Sequence, residues 1–311
     1  GALFVPAIML WKPDYCRYAA IIFSLGSALF SVYGFCWLIS GGQPIWYQFG
    51  GWEPPYGIVF NYDELAAFVV MVINSVAFIV LLHSQRLCIA ELPRKRGPYY
   101  ALVMLMMLGF NGMVLTGDLF NLYVFLEISS LASYALIAIG EREAPLAAFR
   151  YLILGTIGGS LYLLGIGFLY LMTGSLNMAD IAEILPLINE NAAVITGLLL
   201  ITVGIGVKAA IFPLHGWLPD AYTYTCSTSS ALIASIGTKV AAYILFRVLL
   251  DLFQVGDSDA VQSILTILGI LAGLGILYGS FMAILQSELK RMLAYSSVSQ
   301  IGYIILGLSM A

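Results

Sequence analysis

Long apolar runs, separated by short polar breaks, recur along the whole chain. An α-helix needs about 20 apolar residues to cross a hydrocarbon core of about 30 Å, and these runs are too long and too weakly alternating for barrel strands. The pattern therefore predicts an all-α, polytopic membrane protein with about ten helices, called spans 1 to 10 here. Span 1 is a partial run over residues 1–11, and spans 2 to 10 follow at 18–39, 61–82, 99–117, 119–140, 146–173, 193–214, 222–250, 261–286 and 292–311.

The composition excludes a water-soluble fold. Of the 311 residues, 61% are hydrophobic and 10% are charged, whereas a soluble domain carries about 25% charged residues. Lipid is therefore an expected partner, and the net charge of −4 argues against nucleic acid, which binds basic surfaces. The cysteines at 16, 36, 88 and 226 form no metal-binding or haem-binding motif, so no cofactor is expected.

The basic residues predict an orientation. If the loop after span 1 is cytoplasmic, ten of the thirteen Lys and Arg residues lie on the cytoplasmic side, and the opposite loops at 41–57 and 174–191 hold none. Such a bias is typical of cytoplasmic loops. Residues 180–191 on the outer side are predicted to form a short surface helix. The ten basic residues are Lys12, Arg17, Arg86, Arg94, Lys95, Arg96, Arg142, Arg150, Lys290 and Arg291.

Three ionisable residues lie in the middle of predicted spans: Glu127 in span 5, Lys208 in span 7 and Lys239 in span 8. A charge at the bilayer centre costs about 3 kcal/mol on insertion scales, so such residues indicate an ion or proton path. The structural alternative for Glu127 is pairing with a neighbouring helix, and for the lysines it is a side chain that reaches the interface. That second interpretation is preferred for Arg247, which lies near the outer end of span 8.

Span 7 is predicted to be a broken helix. Gly204 and Gly206 precede Lys208, and Pro213 follows it. Proline removes a backbone hydrogen bond, and a helix break at membrane depth is tolerated only beside protein or a water-filled cavity. Two interpretations of the nearby His215 remain open, an interfacial turn or a titratable relay between Lys208 and Lys239.

Several segments resemble the antiporter-like subunits shared by respiratory complex I, membrane-bound hydrogenases and Mrp-type multisubunit sodium/proton antiporters. They are GDLFNLYVFLEISSLASYALIA, VGIGVKAAIFPLHGWLPDAYTYTCSTSSALIASIGTKVAAY and ELKRMLAYSSVSQIGYIILG. Together with GGWEPPYGIVFNYDELA they look most like the D-type subunits of Mrp antiporters, or their close relative in membrane-bound hydrogenases. The resemblance covers nearly the whole chain. It implies about 14 helices with two inverted five-helix repeats, each containing a broken helix.

On this basis residues 1–311 form a single membrane domain. Residues 1–98 hold spans 1 to 3, residues 99–251 hold the first repeat with spans 4 to 8, and residues 252–311 begin the second repeat with spans 9 and 10. The chain starts at glycine and stops inside an apolar run, so we expect a longer parent protein that contains the rest of the second repeat.

The resemblance also implies a function. Glu127, Lys208, His215 and Lys239 would form a hydrated axis that carries protons in a monovalent cation (sodium)/proton antiporter. Glu127 and Lys208 would form a switchable ion pair, and the proton would pass through His215 toward Lys239. The implied partners are other membrane subunits, and the implied location is the plasma membrane of a prokaryote.

Two alternatives remain. The first is a proton-pumping subunit of a redox-driven complex, such as complex I or a membrane-bound hydrogenase. No redox or hydrolytic motif lies in this chain, so the chemistry would occur in another subunit. The second is a structural membrane subunit whose buried charges are vestigial.

Overall fold

The computed structural model describes residues 1–11, 15–92, 95–188, 190–253 and 259–310, and for residues 85–90 it describes the backbone alone. In these parts nine helices are long and apolar enough to span a membrane. The helical membrane fold that the apolar runs predict is confirmed. Of the ten basic residues used for the orientation, Lys12, Arg94 and the side chain of Arg86 lie outside the described residues, as does the side chain of Cys88.

The helices occur where the apolar runs predict them, with ends shifted by a few residues. They are α1 (Phe4–Trp11), α2 (Cys16–Ile39), α3 (Glu64–Glu91), α4 (Arg96–Leu115), α5 (Leu119–Ala138), α6 (Ala144–Thr173), α7 (Met178–Ile184), α8 (Ala192–Ala209), α9 (Leu218–Tyr224), α10 (Ser227–Leu232), α11 (Thr238–Phe246), α12 (Asp259–Ile284) and α13 (Leu289–Ser309). The short helix predicted at 180–191 starts earlier, as α7, because the side chain of Asn177 accepts from the backbone amides of Ala179 and Asp180.

Most of span 8 is one continuous helix, Ser227–Leu252, with two wide turns, which hydropathy does not predict. α10 runs into a π-helical turn at Ile233–Gly237, and α11 runs into a second one at Arg247–Leu252. π-helical turns often occur at functional sites. Here they bound α11, the segment that carries Lys239, on both sides.

A small β-hairpin stands in the predicted outer loop and was not expected in an all-α chain. Strand β1 (Ile45–Gln48) pairs with strand β2 (Val59–Tyr62) in antiparallel register. Both strands are rich in the aromatic and β-branched residues that favour strands. The hairpin takes the first residues of predicted span 3, so α3 begins only at Glu64, where Asp63 caps the helix through a 2.8 Å bond from the Ala66 amide.

The most buried helices form the centre of the bundle. In the most apolar stretch of α4 and of the Ser227–Leu252 helix, 67% of residues are buried, and in α8 61%, whereas in α2 only 22% are. α6 packs along α8, and α4 packs against α5. Large exposed side chains such as Phe30 on α2 and Leu277 on α12 face outward, as lipid-contacting residues do.

Basic side chains near the helix ends lie together at one end of the bundle. Lys95 donates to the Ile139 carbonyl at 3.1 Å, and Lys290 donates to the Thr225 carbonyl at 3.0 Å. The β-hairpin and α7 lie at the opposite end, where β2 meets Thr116 and Asn177 meets Asp118. The side of the membrane that each end faces, and the division into repeats at 98 and 251, remain predictions.

Candidate functional site

One face of α5 carries a row of polar side chains at membrane depth. Glu127, Ser130 and Tyr134 are separated by three and four residues, which places them on the same side of a helix. α5 begins at a strong cap, because the side chain of Asp118 accepts from the Asn121 amide at 2.6 Å. The cap therefore fixes where α5 begins, and α5 packs against α6.

Lys208 is buried in the last turn of α8 and is held by neutral groups. Its side chain is 7% exposed. Nζ donates to Ser130 Oγ at 2.7 Å and to Tyr134 Oη at 2.9 Å, and it lies 5.5 Å from the centre of the Tyr134 ring. Two of its three donors are thus satisfied by hydroxyl groups, and the aromatic ring adds a cation–π contact.

Glu127 stands beside Lys208 but is not bonded to it. Its Oε1 is buried and has no hydrogen-bond partner among the described residues. Oε1 packs against Gly159 of α6, where a side-chain carbon would collide with it, and a carbon built on Gly155 would stand 3.2 Å from Lys208 Nζ. Gly155 and Gly159 are one helical turn apart, about 6 Å along the axis.

The expected direct ion pair is therefore not formed in this structure. Carboxylate and ammonium rest on the same face of α6, one turn apart, and the Ser130 hydroxyl occupies the position next to the ammonium. The four ion pairs found in the described residues involve Asp63, Asp220 and Asp251 as acids, and none involves Glu127. The sequence analysis did not predict Ser130 and Tyr134 as partners of Lys208. Both could have been found, because they lie three and seven residues after Glu127 on the same face of α5.

Glycine pairs bring α6 and α8 close enough for this arrangement. A side-chain carbon on Gly204 would stand 2.6 Å from the Gly158 carbonyl oxygen, and one on Gly165 would stand 2.7 Å from the Gly197 carbonyl oxygen. Small residues at a helix interface permit such close packing in membranes. Gly204, four residues before Lys208, thus has a packing role in addition to its place near the break.

The predicted break in span 7 is confirmed. α8 ends at Ala209, and Ala210 has a left-handed backbone with φ of 56°. The Trp217 indole nitrogen donates to the Val207 carbonyl at 2.9 Å, and the same carbonyl also accepts from the Ala210 amide at 3.2 Å. Trp217 also stacks on Tyr151, with ring centres 3.8 Å apart. The break is therefore enclosed by aromatic side chains.

His215 lies in the segment between α8 and α9 and is buried, with 7% exposure. It stacks on Phe212 with ring centres 5.4 Å apart, and it meets the edge of Tyr278 of α12 at 5.0 Å. Nδ1 has no hydrogen-bond partner among the described residues. The ring thus faces α12, inside the bundle, and its part in a relay remains a prediction.

Lys239 is at the start of α11, directly after the first π-helical turn. Its Nζ donates to the Ala234 carbonyl, five residues earlier, at 2.8 Å. The wide turn therefore supplies the acceptor for this lysine. Neither Lys208 nor His215 is a hydrogen-bond partner of Lys239 among the described residues.

A small cavity connects the Lys208 site to the turn before Lys239. It has a volume of about 30 Å³, and a cavity of about 10–15 Å³ is enough for one water molecule. Ser130, Ser133 and Lys208 line one side, and Gly237 and Thr238 line the other. The space fits water that would join the two lysine-bearing segments.

Arg247 has acidic partners that the sequence did not predict. Its Nη2 donates to both carboxylate oxygens of Asp63 at 2.5 Å, and its Nη1 donates to Asp251 at 2.6 Å. Its Nε donates to Tyr243 Oη at 2.7 Å. This cluster is at the hairpin end of the bundle. No group of three His, Cys, Asp or Glu side chains among the described residues is arranged to hold a metal ion.

The chain matches a known protein family and is similar to subunits of two membrane complexes. Residues 116–311 match the family described as NADH:quinone oxidoreductase/Mrp antiporter, TM. The chain is 51% identical over 268 residues to the N-type subunit of the NADH-quinone oxidoreductase of Desulforudis audaxviator, covering 86% of this chain and 53% of that protein. It is 34% identical over 262 residues to the D-type subunit of the Na(+)/H(+) antiporter of Bacillus subtilis, covering 84% of this chain and 52% of that one.

A solved structure is similar as well. A chain of the membrane-bound sulfane sulfur reductase, an archaeal respiratory membrane complex, superposes with a TM-score of 0.93 at 36% identity, over 99% of this chain and 62% of that one. The chain thus spans about half the length of the curated relatives named above. Glu127, Lys208, His215 and Lys239 all fall within the residues that match the family.

Proposed function

We infer that this chain, which belongs to the NADH:quinone oxidoreductase/Mrp antiporter transmembrane family, is an ion-translocating subunit of a multisubunit membrane complex that moves protons along Glu127, Lys208, His215 and Lys239. One observation carries the proposal. A lysine buried at membrane depth is held by hydroxyl groups, while Oε1 of Glu127, which has no hydrogen-bond partner among the described residues, lies against α6 one helical turn away.

The separation between these two groups supports a switch. At an effective dielectric constant of 20, closing two opposite charges from about 6 Å to about 4 Å changes their attraction by about 1.4 kcal/mol, roughly a tenfold change in an equilibrium. A movement of the Glu127 side chain past Ser130 is enough to close such a gap. The position of the carboxylate then decides whether the ammonium keeps its proton or releases it.

The path beyond Lys208 has two branches in this proposal. The cavity of about 30 Å³ leads from Lys208 to the turn before Lys239. His215 packs against α12, on the side where the second repeat begins. Both branches require water, because neither His215 nor Lys239 bonds to Lys208 directly.

We propose a monovalent cation (sodium)/proton antiporter as the parent complex. Relatives that are D-type subunits of Na(+)/H(+) antiporters favour this driver. A redox-driven proton pump is the second candidate, favoured by the relative from an NADH-quinone oxidoreductase and by the similarity to a respiratory membrane complex. In both cases the proposed path in this chain is the same, and only the source of energy differs.

The test uses inside-out vesicles that contain the full complex and hold a pH gradient, followed with a fluorescent dye. Collapse of the gradient on adding sodium, lost in Lys208→Ala, is the result we expect. A gradient that forms on supplying a redox substrate and does not respond to sodium would instead identify a redox-driven pump. Lys95→Ala is the matched control, since Lys95 is an exposed lysine outside the helices.

Near-normal transport in Lys208→Ala, with the complex assembled, would contradict both forms of the proposal. It would leave the structural subunit with vestigial charges as the remaining interpretation. Assembly is measured on the purified complex by size-exclusion chromatography, so that loss of transport is not confused with loss of the whole chain from the complex.

A further inference from the structure

A second cavity opens at the hairpin end of the bundle. Its volume is about 280 Å³, large enough for several water molecules at about 30 Å³ each. We call it the outer vestibule, because the basic residues predict that this end faces away from the cytoplasm. Its polar lining comes from Asn61, Asp63, Thr116, Asn177, Arg247 and Asp251.

The charges of the outer vestibule favour cations. Asp63 and Asp251 both bind Arg247, so the cluster carries one net negative charge, and clefts of one sign of charge raise the local concentration of the opposite ion. Asn61 Oδ1 is buried and accepts no hydrogen bond from the described residues. It is a free acceptor for water or a cation.

The outer vestibule and the Lys208 cavity share two wall residues. Met113 of α4 and Ile244 of α11 line both spaces. On α5, Leu122 lines the vestibule and Leu126, one turn further, lines the Lys208 cavity. The two spaces are thus separated by a thin apolar layer rather than by a helix.

A chain of hydrogen bonds holds this layer in place. Tyr243, next to Ile244, donates to the carbonyl of Val114, next to Met113, at 3.0 Å. Tyr243 accepts from Arg247 Nε at 2.7 Å, and Arg247 is bound in turn to Asp63. A movement of Arg247 and Asp63 would therefore shift Tyr243, which lies next to Ile244 and is bonded to the residue next to Met113.

α11 is suited to move the barrier. It has nine residues, with Lys239 in its first turn and Ile244 near its end, and π-helical turns on both sides. Regular helix hydrogen bonding is interrupted at each end, so the segment can shift without moving the whole span.

We propose that Met113 and Ile244 form a closed gate between the Lys208 cavity and the outer vestibule. When open, this gate would give the predicted first repeat, residues 99–251, its own route to the outer side of the membrane. The substrate of this route is a proton carried by water, or a small monovalent cation. This inference rests on the proposed function, because the gate would serve ion transport. The gate itself controls the access of small ions to the Lys208 cavity, and that access is measured without any transport assay.

The test measures access from the outer side with silver ions, which are small, carry one positive charge and replace the proton of a cysteine thiol. The full complex is placed in right-side-out vesicles in chloride-free buffer, with the four native cysteines of this chain replaced. Asn61→Cys reports on the vestibule and Ser133→Cys on the Lys208 cavity. After silver treatment, the remaining free thiols are labelled with a fluorescent maleimide under denaturing conditions.

We expect outer silver to protect Asn61→Cys rapidly and Ser133→Cys slowly. Adding Ile244→Ala or Met113→Ala to Ser133→Cys should speed protection at least tenfold. Leu245→Ala is the matched control, because Leu245 is equally buried on α11 but lines neither cavity. Ile244→Val serves if the alanine variants fail to assemble, with a smaller acceleration of at least twofold.

Two results would overturn the proposal. Asn61→Cys left unprotected by outer silver would show that the vestibule does not face that side. An unchanged rate for Ser133→Cys in the Ile244 and Met113 variants, or an equal acceleration by Leu245→Ala, would show that these residues are not the barrier. Neither result depends on whether Lys208→Ala transports, so a failure of the gate is distinguishable from a failure of the proposed function.

Discussion

Two buried or half-buried cations in this molecule are held in opposite ways. Arg247 forms ion pairs with Asp63 and Asp251, and a single guanidinium nitrogen, Nη2, donates to both oxygens of Asp63. Lys208 is more deeply buried, yet its direct partners are the hydroxyl groups of Ser130 and Tyr134. The first arrangement fixes a charge in one position, whereas in the proposed mechanism the second leaves the charge free to respond to the carboxylate of Glu127.

The same comparison explains the choice of side chains. Guanidinium keeps its proton under all ordinary conditions and binds carboxylates in a rigid geometry, while lysine is a point charge that gains and loses a proton more easily. A fixed ion pair near the outer vestibule and a titratable group at the centre of the bundle are the uses that these chemistries fit. Four variants, one of them a double substitution, test the contrast.

The largest effect is expected when the neutral partners of Lys208 are removed together. In Ser130→Ala/Tyr134→Phe the buried ammonium loses two hydrogen bonds, each contributing about 1.5–3 kcal/mol to a charged group. We expect transport in vesicles to fall at least tenfold. Ser133→Ala is the control, since its hydroxyl bonds only to its own helix at Ser129. Equal loss in both variants would mean that hydroxyl groups near the cavity matter only for packing.

A smaller effect is expected from separating α6 and α8. In Gly204→Ala the new methyl group meets the Gly158 carbonyl oxygen, 2.6 Å away, and overpacking of this kind costs about 1–3 kcal/mol. The complex should unfold at a lower temperature in a thermal melt. Gly206→Ala, whose nearest neighbour would be 3.5 Å away, should leave the melting temperature nearly unchanged. Similar melting temperatures for the two variants would argue against close packing at Gly204.

The sequence predicted the membrane helices and the charged residues of the candidate site, but not the side chains that contact those residues. Apolar runs predict the membrane helices, and the charges at 127, 208 and 239 mark the site because ions are rare at that depth. The partners of Lys208 were not predicted, since Ser130 and Tyr134 are ordinary helix residues until α5 is packed against α8. The pairing of Arg247 with Asp63, 184 residues apart in sequence, also needs the tertiary fold.

Local backbone features escaped for a different reason. The β-hairpin uses apolar and aromatic residues that also suit the edge of a membrane helix, so hydropathy merged Asn61 and Tyr62 with span 3. The π-helical turns around α11 leave no mark on hydrophobic periodicity, because a single extra residue per turn is smaller than the noise of the pattern. The break after Lys208 was predictable because proline and glycine have direct backbone effects.

The smallest effect is expected at the ion-paired arginine. Arg247→Lys keeps the positive charge near Asp63 but has one nitrogen in place of the two that bind Asp63 and Asp251 separately. Because no carboxylate is left without a cation, we expect a cost of about 1 kcal/mol or less, as for a partly exposed ion pair. The melting temperature of the complex should therefore drop slightly, by less than in Gly204→Ala. A larger drop than in Gly204→Ala would show that the Arg247 ion pair contributes more to stability than the helix contact does.

The most direct measurement of the central claim is the transport rate of Glu127→Gln in vesicles, compared with Glu183→Gln on α7, at the hairpin end of the bundle. Glutamine has nearly the same shape as glutamate but carries no charge, so Lys208 would lose the neighbour proposed to control its proton. We predict at least a tenfold loss of transport in Glu127→Gln, with the complex assembled and Glu183→Gln unaffected. Transport at the normal rate in Glu127→Gln would contradict this prediction.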